Sequence, residues 1–449
     1  MYMVNSTVTD KQIEAALDGS PGWLADLRNE AWERAGSLEL PDKKDEFWRY
    51  TDLRLLDLNS YRLPEAGGGG VALRKLPARA GGALELSGTD SGGKLVHVDG
   101  LPFSAELSEE ATSKGVIFTD LETAVTEHEE LIRGHIGALV GAEDAFSAWN
   151  LALHRGGTFL YVPDGVTLET PLQSLHWLTE QGALIQPRTV VVVGRGARVV
   201  FNDIYTSAPV QRPSLVHPVT ELYADEGSQV GWVTWQDWGA GVRHLSNVKA
   251  RLEANAKLNT LLVTLGGDFS RTWKECELVG EGAESIMLGL YFAHKEQHFE
   301  HWTVQDHVAP HTRSDLLYKG ALDDSGRTVY YGTIKVRPDA RGTDAYQANR
   351  NLALSRKAKA DTNPQLEIET NDVRCTHGAT VGQVDHDHLY YLMSRGIERA
   401  DAEKLLIFGF FNEVLDRVEW SGMHELLAGA ILGKLESGEV ETYEPVDRN

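Results

Sequence analysis

The chain has 449 residues, 42% of them hydrophobic, enough for about two or three domains with a sizeable core and too apolar for disorder on a large scale. Its 43 Lys and Arg stand against 66 Asp and Glu, a net charge of -23 that repels nucleic-acid phosphate and anionic lipid, so neither nucleic acid nor a membrane surface is an expected partner. The only cysteines, Cys276 and Cys375, are too sparse for a disulfide framework and lack the paired spacing of a structural zinc site, which fits a reducing, cytoplasmic setting.

Between Met1 and Asp18 no basic segment leads into an apolar stretch, and neither an export signal nor a membrane span is expected there. From Asp10 to Ala35 apolar residues recur at helical spacing around a Gly19-Ser20-Pro21-Gly22 break, predicting a small helical head. The aromatic run Phe47-Trp48-Arg49-Tyr50-Thr51 follows, then a glycine-rich stretch, Gly67 to Gly70 with Gly81 and Gly82, read as a linker or loops. Glu122 to Gly141 carries Val125, Leu131 and Ile132 among many charges and reads as helix.

Beyond Asn150, Thr, Val, Tyr and Leu alternate with polar residues in short runs punctuated by glycine, the pattern of half-buried strands. Turn-formers return at one phase, Gly165, Gly196, Gly227, Asn255 and Gly282, at steps of about 30 residues. Such a period over strand-like segments predicts a β-helix from Asn150 to about Gly382, with roughly eight coils at about 4.8 Å spacing and exposed backbone at its ends. After Asp385 the spacing returns to helical, first over His388 to Met393, then, past Ser394-Arg395-Gly396, over Ala402 to Val418. The expected fold is therefore mainly β, a right-handed parallel β-helix (solenoid) core over 145–384, with an N-terminal helical α+β region over 1–144 and a C-terminal helical domain over 385–449.

Nucleotide and hydrolase signatures are missing: Gly433-Lys434 runs into Leu435 and makes no P-loop, and no G-x-S-x-G elbow occurs, so no nucleotide is expected on this chain. Five histidines, His294, His298, His301, His307 and His311, fall close together, but on a strand His294 and His298 share one face and His301 and His307 the other, which favours polar strand faces and turns over a metal site. Cys375-Thr376-His377 is more pointed, because residues i and i+2 of a strand project to one side and thiolate with imidazole can ligate an iron-sulfur cluster. Against it stands the common arrangement of a small buried cysteine beside a hydrogen-bonded histidine. A rival reading of the fold, a polysaccharide-active enzyme, would use mid-solenoid carboxylates such as Asp237, Glu275 and Glu277.

The run Thr343-Asp344-Ala345-Tyr346-Gln347-Ala348-Asn349-Arg350-Asn351-Leu352, then Pro364-Gln365-Leu366-Glu367-Ile368 and Cys375-Thr376-His377-Gly378-Ala379-Thr380, resembles the SufB/SufD family of iron-sulfur cluster assembly scaffolds. The likeness extends back through Tyr318-Lys319-Gly320 and Tyr331-Gly332 and forward through Tyr390-Tyr391-Leu392-Met393-Ser394-Arg395-Gly396. The Cys-Thr-His-Gly run and the long head before Trp48 are more similar to the SufD branch than to SufB, which stays the alternative. The resemblance implies a non-catalytic scaffold that pairs with a SufB-like chain, or with its own copy, through the solenoid ends. It also implies that the C-terminal helices dock the SufC ATPase and that a cysteine desulfurase system supplies sulfur. Cys375 and His377 would then contribute to a transient iron-sulfur cluster at the seam, while Cys276 matches no motif of the family.

Overall fold

A left-handed residue at one corner of each coil marks the repeat. Positive φ recurs at Gly165 (70°), Gly196 (63°), Gly227 (68°), Asn255 (57°), Gly282 (74°), His311 (56°) and Gly342 (72°), a conformation that glycine and asparagine enter most cheaply. The turns stack on one another: the N–H of Gly165 donates to the Arg195 carbonyl (2.7 Å), that of Gly196 to Glu226 (2.8 Å), that of His311 to Arg341 (2.8 Å) and that of Gly342 to Asp372 (2.7 Å). His311 is thus a turn residue, and the repeat runs two coils past Gly282, through His311 and Gly342, because histidine hides the signal.

The computed structural model describes residues 10–56, 58–64, 77–85, 91–418 and 423–437; the Gly67 to Gly70 run and residues 1–9 lie outside them. Each coil gives one strand to each of two facing sheets. Sheet one runs from Gly93–Val98 through Leu172–Leu178, Arg198–Ser207, Gln229–Asp237, Lys257–Thr264, Glu284–Ala293, Arg313–Leu322 and Thr343–Ala353 to Val373–Gln383, all parallel. Sheet two runs from Thr158–Val162 through Arg188–Val193, Val219–Ala224, Val242–Leu252, Phe269–Leu278, His298–His307 and Arg327–Val336 to Lys359–Ile368. Both sheets begin with a strand laid antiparallel, Leu101–Leu107 on Gly93–Val98 and Ile117–Asp120 on Thr158–Val162, so sheet one starts well before residue 145.

Three apolar clusters explain why most strands are buried on both faces rather than half-buried as expected. One fills the lumen, with Phe201, Trp232, Leu262, Phe299 and Tyr318. Another joins the outer face of sheet one to the C-terminal helices through Leu261, Leu290, Ile407, Phe411 and Ile431. The third joins the outer face of sheet two to the helices Asp10–Leu17, Gly22–Ser37 and Ala145–Leu153. The lumen is not wholly apolar: Lys274 lies over the Trp232 ring at 4.7 Å, and burial lowers its amine to about 7. Beside it Cys276 is sealed in, its thiol pushed up by burial to about 12, the state of a structural cysteine.

Two segments depart from the sequence reading. Instead of one helix over Glu122 to Gly141, short helices Leu121–Glu127 and Glu129–Ile132 give way to turns that wrap a buried carboxylate. Glu221 accepts hydrogen bonds from the N–H groups of Gly137 (2.8 Å), Leu139 (2.8 Å) and Val140 (3.0 Å) and pairs with Arg188 at 2.5 Å, both side chains being fully buried. Those amides gain more from a charged acceptor than from a helix. Gly81 and Gly82, read as linker, lie in the helix Ala78–Glu85, which buries Ala80, Ala83 and Leu84 at helical spacing against sheet one; tertiary packing overrides the low propensity of glycine.

The aromatic run forms a strap along sheet two. Phe47 meets Trp273 and Trp302 edge-on at 5.4 and 5.5 Å, and Arg271 lies between Trp48 (4.2 Å) and Trp302 (4.7 Å). Beneath it Thr51 donates to Glu300 at 2.5 Å, and Arg271 pairs with the same carboxylate. Burial would raise the Glu300 carboxyl, but His298 and Arg271 outweigh it and hold the group near 2.

Glu221→Gln leaves the Arg188 charge buried without its counterion and is expected to cost about 3–5 kcal/mol in denaturant unfolding. Replacing both partners by apolar residues should not recover this, since three amides lose their acceptor. A second expectation concerns acid. Burial pushes His301 and His244 down to about 3 and His307 to about 4, whereas an unfolded imidazole titrates near 6.5. Each group favours the fold fully above pH 6.5 and progressively less as pH falls toward its folded value, about 2 kcal/mol per histidine by pH 5. His301→Asn should lower the slope of unfolding free energy against pH near pH 5 by about 1.4 kcal/mol per unit.

Candidate functional site

The two ends of the solenoid are unlike. At the first coil each sheet ends in an added antiparallel strand, whereas at the last coil the parallel strands Lys359–Ile368 and Val373–Gln383 are themselves the sheet edges among the described residues. Parallel strands turn the backbone groups of successive residues to opposite sides. Asp344 N–H donates back to Thr312 at 3.1 Å, so the odd-numbered residues of strand Thr343–Ala353 face forward. In the register that aligns Asp344 with Arg374, the odd-numbered residues of the last strand, Cys375 and His377 among them, turn their backbone N–H and C=O to the open edge.

Their side chains face the lumen mouth. Cys375 follows Ala345 and Ser314 in register, and His377 follows Gln347 and Leu316, all inward-facing. The sequence therefore brought together two residues that the fold keeps on one face, but in different surroundings. Cys375 is half-buried against Ile334, Val336, Ala340 and Ala345, and burial raises its thiol. His377 is exposed. Around them the mouth exposes Leu366 (36%), Ile368 (40%) and Val381 (50%), apolar side chains that a further coil would cover.

Iron needs more donors than this. Among the described residues no group of three or more His, Cys, Asp and Glu is arranged to hold a metal ion. Cys375 and His377 fit part of a cluster's ligand set, a thiol and an imidazole opening on one space, and a second chain would have to complete it.

The other candidates disperse. His294 sits in a turn bonded to Gln297 at 2.8 Å, and His298 faces outward onto Glu300. His301 is inside, stacked on Tyr291 at 4.5 Å and hydrogen-bonded to Thr264 at 3.0 Å, while His307 bonds Thr312 and Ser314. Glu275 and Glu277 point outward into ion pairs with Lys249 (3.3 and 2.9 Å) and Arg251 (2.8 Å to Glu277), and Asp237 belongs to the other sheet. The three carboxylates proposed for a polysaccharide-active enzyme therefore do not converge on one space.

Sequence reasoning missed the opposite wall of the mouth, Thr362 and Pro364, and Gln347 beneath His377. A proline inside an alternating strand pattern was the available signal, since it marks an edge. It also missed the third C-terminal helix, Met423–Ser437, which follows His386–Ser394 and Arg399–Leu415.

No helix among the described residues is long and apolar enough to cross a membrane. The family model for the SUF system FeS cluster assembly SufBD core domain matches residues 176–410, and that for the SufBD protein N-terminal region matches 93–174. An iron-sulfur cluster assembly SufBD family protein of Staphylococcus saprophyticus is 32% identical over 68% of this chain and 66% of its own length. The SufB protein of Bacillus subtilis is 30% identical over the same shares, and the SufD protein of that organism is 29% identical over 92% of this chain and 94% of its own length. A mainly β parallel solenoid, a core-domain match over half its length and relatives of this kind show that the chain belongs to the SufB/SufD family of iron-sulfur cluster assembly proteins.

Proposed function

We propose that this chain is the SufD-type, non-catalytic scaffold of an assembly complex, pairing through its open solenoid end with a SufB-type chain and building a transient iron-sulfur cluster at the seam. The observation that carries the reading is the last coil, which ends both sheets among the described residues and whose outward backbone edge bears Cys375 and His377 beside the exposed Leu366, Ile368 and Val381. An edge of this kind is stable in solution only when paired or guarded. The SufD branch is favoured by the Cys-Thr-His-Gly run and by the likeness to a SufD protein along nearly the whole chain.

The C-terminal helices are the proposed dock for a SufC ATPase. They leave Tyr390, Tyr391 and Leu405 exposed while burying Ile407 and Phe411 against sheet one. Helix Arg399–Leu415 is latched to the strands next to the edge: one Glu413 oxygen accepts from Lys319 and from Arg350, both at 2.5 Å, and Arg417 pairs with Asp315 at 2.8 Å. Arg350 stands beside Thr380 on the strand of His377, so ATP-driven movement of the helices has a short mechanical route to the assembly site. Sulfur would come from a cysteine desulfurase system.

The two donors would act differently. His377 is ready to bind metal when neutral, whereas Cys375 stays protonated near pH 7 and must lose its proton as metal binds. In cells that depend on this system, His377→Ala and Cys375→Ala are expected to lower cluster maturation; wild-type maturation in both would reject the site. In the isolated chain, iodoacetamide should modify Cys375 more slowly than a free cysteine at pH 7 and catch up above pH 9, while Cys276 stays unmodified until denaturant is added. Equal rates for Cys375 and free cysteine at pH 7 would contradict the burial argued for it.

A further inference from the structure

The two open edges offer different ladders to a pairing chain. In the sheet-two strand, the N–H groups of Lys359 and Glu369 donate back to the preceding coil, to Gly326 and Val336, both at 3.0 Å. Odd-numbered amides therefore point inward, and Ala360, Thr362, Leu366 and Ile368 point to the open edge. Pro364 stands in the middle of that outward set and has no N–H. The sheet-one edge, from Cys375 through Val381, has no such gap.

The gap lies opposite His377. Gln347 precedes His377 in register, Gly332 precedes Pro364, and the Gln347 side chain donates across the lumen to the Gly332 carbonyl at 3.1 Å. One coil further out, Pro364 and His377 therefore face each other across the mouth. Beside them two buried atoms, Gln347 Oε1 and Thr362 Oγ1, have no protein partner, which calls for water at the inner end of this wall.

We propose that Pro364 keeps a wet break in the ladder between paired chains, and that this break is the passage by which hydrated ferrous iron reaches Cys375 and His377 after pairing. The inference rests on the pairing and assembly reading above. Its physical basis is that a carbonyl of the incoming strand set against Pro364 finds no donor and must keep a water, in a seam whose rim also carries the apolar Leu366, Ile368 and Val381.

The test uses full-length chain and the complex with a co-expressed SufB-type chain. Pro364→Thr restores a donor in a strand-compatible residue, and Pro364→Ala does so without a branched side chain. Complex formation is read by size, and access by the rate of Cys375 alkylation with iodoacetamide, free and paired. Both variants should pair at least as tightly as the parent and alkylate within about two-fold of it when free. In the complex they should alkylate at least about five-fold more slowly. Equal rates in variant and parent complexes would overturn the passage, as would a parent complex in which Cys375 is already sealed. Self-association of the variants with unchanged alkylation would overturn it too, leaving Pro364 as a guard against stray pairing. If neither parent nor variant forms a complex, the pairing reading fails first and the passage falls with it.

Discussion

A stack of parallel strands cannot end without leaving backbone donors and acceptors unpaired, and this protein meets that constraint differently at its two ends. At the start, an antiparallel strand, Leu101–Leu107 or Ile117–Asp120, is laid on the first parallel strand of each sheet and becomes its edge. At the finish, the parallel strands Lys359–Ile368 and Val373–Gln383 are themselves the edges among the described residues. Cys375 and His377 stand on this edge, so the proposed interface and the proposed site are one surface. An exposed edge without a function would be an aggregation hazard, and here the proline, the mouth-facing polar atoms and the apolar rim all gather on it.

What lies outside the lumen keeps this edge in shape. The strap that begins at Phe47 reaches the last coil: Asn363 donates to the Tyr50 hydroxyl at 3.0 Å, and Gln365 donates to Tyr331, whose hydroxyl donates to Glu46 at 2.7 Å. The outward side of the Pro364 strand is thereby tied to the N-terminal region, some 300 residues away in sequence. The His377 strand lacks such ties at Gly378 and Gly382, where an added Cβ would meet nothing within 4 Å. One wall of the mouth is braced and the other is left open to an incoming chain.

The sequence carried the repeat because left-handed turns select glycine and asparagine, and those letters recur at Gly165, Gly196, Gly227, Asn255 and Gly282. It lost the phase at His311, where a backbone bond to Arg341 holds a residue that does not advertise the turn. The helix expected over Glu122 to Gly141 failed because its amides answer to Glu221, about 80 residues downstream, and no local pattern announces a distant carboxylate. Cys375 and His377 were legible as a pair because strand periodicity is two; that one would be half-buried and the other exposed depends on Ile334 and Val336 of the opposite sheet. The histidines from His294 to His311, read from strand periodicity as polar faces and turns, separate once the chain coils, since they end inside, outside and in turns.

The proposed site, with two donors, would suit a protein that gives its product away. Were four ligands fixed on one rigid chain, as in a closed structural metal site, binding energy would turn into folding energy and the metal would stay. Here burial raises the Cys375 thiol, which begins protonated near pH 7. In the proposed complex, ligand number then depends on how closely two chains meet, and the Glu413 latch links that seam to the helices an ATPase would move. Affinity for the cluster becomes a property of the interface, so any small rotation of the chains that withdraws the partner's ligands weakens the hold without unfolding either solenoid.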